Sequence, residues 1–114
     1  MNVYDKSHEL ARTLRESQEY REFKKISGIV LSNSTNKEMI KDFKKKQFEL
    51  QTVQLSGKEP AKGNIEQLQQ LYNILIANPD VGKYFEHEFK FERLISDIYK
   101  ILEETIEFNQ ELLK

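Results

Sequence analysis

Cysteine and tryptophan are both missing from this 114-residue chain. Without cysteine there is no disulfide framework, no Cys-ligated zinc and no cysteine-held iron–sulfur cluster. Glycine and proline are scarce, at four and two, and the punctuation falls where helices should begin and end. No apolar run approaches the roughly 18 residues that a membrane helix needs, and the polar opening Asn2-Val3-Tyr4-Asp5-Lys6 lacks the apolar stretch of a secretory signal. A cytoplasmic protein with no membrane association is expected. The length suits one domain. Residues 1–114 therefore read as a single all-helical domain, with a loop at 56–63 between its N-terminal and C-terminal helical parts.

Neither sign of charge dominates, with 18 Lys+Arg against 19 Asp+Glu, but the halves differ. Residues 1–62 carry 13 basic and 9 acidic side chains; residues 63–114 carry 5 and 10. Such asymmetry can mark a nucleic-acid face. It can equally let two halves of one helical bundle attract each other, and a surplus of four over 62 residues favours the second reading.

The punctuation predicts four or five helices in antiparallel arrangement. A first helix spans Val3 to Glu16, with Asn2 as its N-cap and Val3, Tyr4, Leu10, Ala11 and Leu14 in one narrow apolar stripe. Tyr20, Phe23, Ser27 and Val30 continue at helical spacing; continuity or a kink at Ser17 is left open. Thr35 and Glu38 have the spacing of a capping box, opening a helix to Leu55 with Met39, Ile40, Phe43, Leu50 and Val53 inward. Asn64 with Gln67 predicts the next start, and that helix turns Ile65, Leu68, Leu71, Tyr72, Leu75 and Ile76 inward. Asn78-Pro79-Asp80 combines a cap, a proline at the first helical position and an acid at the positive end of the dipole.

From there a helix of about 34 residues is expected to reach Lys114, about 50 Å at 1.5 Å per residue. With Tyr84 at heptad position a, the apolar residues fall on d, a, e and b: Phe91, Leu94, Ile95, Ile98, Ile101, Leu102, Ile106, Phe108 and Leu112 among them. That arc is near twice the roughly 100° of an ordinary surface helix. Two intrachain neighbours or a second copy must cover it, and a homodimer is favoured. Phe91, Ile95, Ile98, Leu102 and Ile106 are its expected core or interface.

Chemistry has little to work with. His8 and His87 are far apart, and neither has a second ligand four residues away. Glu86-His87-Glu88 cannot share one ion, because helical neighbours point about 100° apart. Gly57-Lys58 to Gly63 lacks the Gly-Lys-Ser/Thr ending of a phosphate loop. Asn33-Ser34-Thr35 matches a glycosylation acceptor but reads as a helix start. Lys37, Lys41, Lys44 and Lys45 form a candidate basic surface opposite Phe43 and Leu50, able to meet phosphates but without interleaved aromatics to stack bases. Gln47, Gln51 and Gln54 lie at or beside the apolar seam, where buried amides would have to be hydrogen-bonded. No catalytic, metal or cofactor site is expected.

Tyr4-Asp5, Leu14-Arg15-Glu16-Ser17-x-Glu19-Tyr20, Phe43-x3-Gln47-x3-Gln51-x2-Gln54-x2-Gly57, and Asn78-Pro79-x4-Tyr84-x3-Glu88-x2-Phe91-x2-Leu94-x2-Asp97-Ile98 together resemble the YheA/YmcA/YlbF family of small helical proteins of Gram-positive bacteria, most of all its YheA-like branch. The resemblance covers nearly the whole chain. It implies a dimer-forming, non-enzymatic protein with a regulatory protein partner. The YlbF and YmcA relatives influence endoribonuclease-dependent mRNA processing, competence, sporulation and biofilm formation, so an RNA-associated accessory role is the alternative. Iron–sulfur clusters associated with those relatives are held by cysteines, which this chain lacks, so no cofactor is carried over.

Overall fold

A computed structural model describes residues 2–106. Five helices make up almost all of it: α1 (Val3–Glu16), α2 (Gln18–Leu31), α3 (Ser34–Leu55), α4 (Lys62–Ile76) and α5 (Pro79–Ile106). Among the described residues there is no strand. The predicted all-α class, with a long C-terminal helix, is what the chain adopts. The expected stretch beyond Ile106, with Phe108 and Leu112, lies outside the described residues.

Helix boundaries follow side-chain capping. Asn2 Oδ1 accepts from the Tyr4 N–H at 2.7 Å, and Asn78 Oδ1 accepts from Asp80 at 3.0 Å, as the sequence predicts. Ser17 settles the open question between α1 and α2. Its backbone is extended (φ −63°, ψ 150°), its hydroxyl donates to the Leu14 carbonyl at 2.6 Å, and the same oxygen accepts from the Tyr20 N–H at 3.2 Å. One serine ends one helix and starts the next.

Two predicted starts move. α3 begins at Ser34 because Asn33, not Thr35, takes the extended cap conformation and accepts from the Asn36 N–H at 3.0 Å; asparagine is the stronger N-cap. α4 begins at Lys62, ahead of Asn64, and no side chain caps it. The Ala61 carbonyl takes the first intrahelical bonds, from the N–H groups of Asn64 at 3.0 Å and Ile65 at 3.4 Å. The connection between α3 and α4 thus shortens to 56–61. Gly57 turns it at φ +83°, a left-handed conformation that other residues enter at a cost.

The chain divides into two compact units, one of residues 25–85 and one joining the residues up to 24 with those from 86 on. In the first, α4 folds back along α3 and their inner faces are filled by rings. Phe43 lies 5.6 Å from Tyr72 and 5.5 Å from Phe85, and Tyr72 lies 5.6 Å from Phe85. Separations of 4.5–7 Å with tilted planes are those that aromatic pairs favour. Among the described residues the buried apolar ones are Ile26, Val30, Ile40, Phe43, Leu75, Val81 and Tyr84. Ile26 is buried, and Ser27 beside it is half-buried with its hydroxyl oxygen turned inward.

In the second unit, the start of α2 meets α5. The Phe91 ring stands edge-on to Tyr20 at 5.3 Å and stacks on Phe23 at 5.9 Å. All seven buried residues belong to residues 25–85. None of the described residues of the second unit reaches that burial.

Candidate interaction surfaces

α1 and the later part of α5 carry the apolar surface that needs explaining. α1 has a sharply amphipathic sequence and not one buried residue. Val3 and Tyr4 are both 77% exposed. Along α5, burial fades with distance from Pro79: Tyr84 is buried, Phe91, Leu94, Ile95 and Ile98 are half-buried, and Tyr99, Ile101, Leu102 and Ile106 are exposed. Of the five residues expected at the core or interface, Phe91, Ile95 and Ile98 are partly covered within the unit, while Leu102 and Ile106 present their side chains outward.

The four lysines separate into two kinds. Lys37, Lys41 and Lys45 are exposed. Lys44 is half-buried; its Nζ donates to the Tyr84 hydroxyl at 2.7 Å and lies 5.0 Å from that ring's centre. The helical angle explains this, because Lys44 follows Phe43 by one residue and so stands at the edge of the packed face. Lys46 pairs with Asp42 at 3.1 Å. Changing Lys37, Lys41 and Lys45 together to Gln should leave the urea midpoint unmoved, within about 0.5 kcal/mol. Tyr84→Phe, which removes the oxygen that Lys44 bonds, should cost about 1–1.5 kcal/mol. A silent Tyr84→Phe would show that the contact adds nothing to stability.

Gln47, Gln51 and Gln54 are exposed, so they meet water and do not fix helix register in a buried seam. His8 is exposed and His87 half-buried, with its Nδ1 3.5 Å from Glu22 Oε2. Among the described residues, no group of three or more metal-ligating side chains could hold an ion, and no helix is long and apolar enough to cross a membrane. A last feature was not legible from spacing: a groove of about 560 Å³ where the end of α3, the 56–61 connection and the start of α4 meet.

These surfaces define an all-helical protein whose outward features are apolar faces. Residues 3–107 match the family model described as "Control of competence regulator ComK, YlbF/YmcA". The chain belongs to the YlbF/YmcA family. It is 44% identical to a UPF0342 protein of Caldicellulosiruptor bescii over 97% of this chain and 93% of that one. A UPF0342 protein of Desulfitobacterium hafniense is 37% identical, over 93% and 86%. Among solved structures, a protein of unknown function from Bacillus stearothermophilus shares the fold, with a TM-score of 0.77 over 95% of each chain at 18% identity.

Proposed function

We propose that this chain is a non-enzymatic protein-interaction module, a cytoplasmic homodimer that serves as a regulatory partner of another protein. The observation that carries the reading is the uneven core: among the described residues all the buried ones fall within 25–85, while α1 and residues 99–106 hold apolar side chains in water. Exposed apolar patches of several hundred Å² on soluble chains commonly mark interaction sites, and twofold dimers are the commonest closed assembly. Membership of a family named for control of a competence regulator supports a regulatory partner.

Light scattering on a sizing column tests self-association. A mass of twice 13.6 kDa at micromolar concentration is expected, and a mass of 13.6 kDa would overturn the dimer. A second reading, an RNA-associated accessory factor, is favoured only by the exposed Lys37, Lys41 and Lys45. Binding that collapses steeply between low and moderate salt would support it, since several phosphate contacts release counterions.

A further inference from the structure

We infer that the groove beside the α3–α4 connection receives helix α1 of a second copy of this chain. The inference rests on the self-association proposed above and names which surface meets which. The groove is walled by Phe48, Leu50 and Val53 of α3 and by Pro60 and Ala61 of the connection. Phe48 is 70% exposed. An engineered Leu-to-Ala cavity measures about 150 Å³, so 560 Å³ takes roughly three or four apolar side chains. Recognition of an amphipathic helix by an apolar groove is a recurring mode, read as anchors at i, i+3, i+4 and i+7.

Charge selects the occupant. Lys46, at one end, pairs with Asp42. The carboxylates of Glu49 and Glu59 also line the groove, and neither has an ion-pair partner among the described residues. An occupant should therefore carry cations beside its apolar stripe. Successive helical residues turn by about 100°, which places Val3, Leu10, Leu14, Ala11 and Tyr4 of α1 on one face. Arg15 and His8 border that face on one side and Lys6 on the other. Asp5, Glu9 and Glu16 lie behind it.

Lys6 is held by Glu9 at 3.0 Å, and Arg15 has no ion-pair partner among the described residues. Residues 99–106, another exposed apolar segment, carry Lys100 but also Glu103 and Glu104, and Glu103 borders the face of Tyr99, Leu102 and Ile106, where it would bring like charge to Glu49 and Glu59. α1 is thus the segment of this chain whose stripe and flanking charge both suit the groove. Leu10, Ala11 and Leu14 enter it, and Arg15 faces the two carboxylates.

The absence of cysteine makes the contact directly testable in the full chain. Ala11→Cys and Thr52→Cys change two small exposed side chains, one on the α1 stripe and one lining the groove. The two single variants, one with a size tag, are mixed and treated with a short bismaleimide. The expected product is a mixed cross-linked dimer. It should fall several-fold when the Thr52→Cys chain also carries Glu49→Lys and Glu59→Lys, and recover when the Ala11→Cys chain carries Arg15→Glu.

No mixed product from a sample whose mass is twice the chain's would overturn this contact and leave self-association standing. A monomeric mass would overturn both. Like-with-like adducts in excess of the mixed one, or a double variant that cross-links only within one chain, would also overturn it. If either variant loses its helical circular dichroism, Ser7→Cys with Asn64→Cys makes the same test from the same two surfaces.

Discussion

Phe43→Ala is expected to cost about 3–5 kcal/mol, the usual range for deleting a buried ring. Phe43 is 7% exposed, and its ring touches both Tyr72 of α4 and Phe85 of α5. Removing it opens a hole between three helices and ends two aromatic pairs, each of which adds to plain area burial. The loss is a large share of the 5–15 kcal/mol that typically holds a domain together, and the thermal midpoint should fall by roughly 15–25 °C. Phe43→Leu keeps most of the volume and should cost less than half as much. A thermal scan of the two variants checks this. A drop of only a few degrees for Phe43→Ala would mean that the ring cluster is not what holds α3, α4 and the start of α5 together.

Ile98→Asp should act on assembly more than on the fold. Ile98 is half-buried in α5, between the covered stretch around Phe91 and the open stretch from Tyr99 on. It borders the exposed apolar stretch that assembly is proposed to cover, so a carboxylate there would be buried without a partner, at a cost of several kcal/mol. Every 1.4 kcal/mol is tenfold in affinity, so dissociation should become at least about 100-fold easier. At micromolar concentration the scattering mass should fall to 13.6 kDa while helical dichroism persists. A variant that kept the doubled mass and the original melting point would remove this part of α5 from the interface.

Much of the fold could be read from the chain because its punctuation is local chemistry. Asn2 and Asn78-Pro79 cap helices wherever they are placed, and the structure uses both. The misplaced starts arose where two neighbouring residues could each cap. Asn33 and Thr35 are both good N-caps, and their order is decided by which backbone becomes extended. At α4 the cap position is held by Ala61, whose methyl side chain accepts no hydrogen bond, so no side-chain rule detects the start. Ile26 and Ser27 differ by one helical step, and only the neighbouring helices make Ile26, which the spacing passed over, the more buried of the two.

The candidate surfaces were less legible than the fold. The apolar arc of α5 was visible in heptads, but a heptad cannot say that cover runs out after Ile98. Lys44 looked like its neighbours until Tyr84, forty residues away, supplied a hydroxyl and a ring. The groove joins residues of two helices across a turn, a juxtaposition that no single-helix periodicity contains.

The concentration of buried side chains in residues 25–85 also bears on how long a lone subunit lasts. Segments with little buried contact open at small free-energy cost, and a protease samples such openings in proportion to their population. In an unassembled chain, residues 3–16, which hold no buried side chain, have little to lose by unwinding, and Arg12 and Arg15 there are sites a trypsin-like enzyme accepts. Subunits made in excess of their partners would be open to trimming there. The amount of intact protein in a cell would then follow the amount that is assembled, with degradation doing the counting.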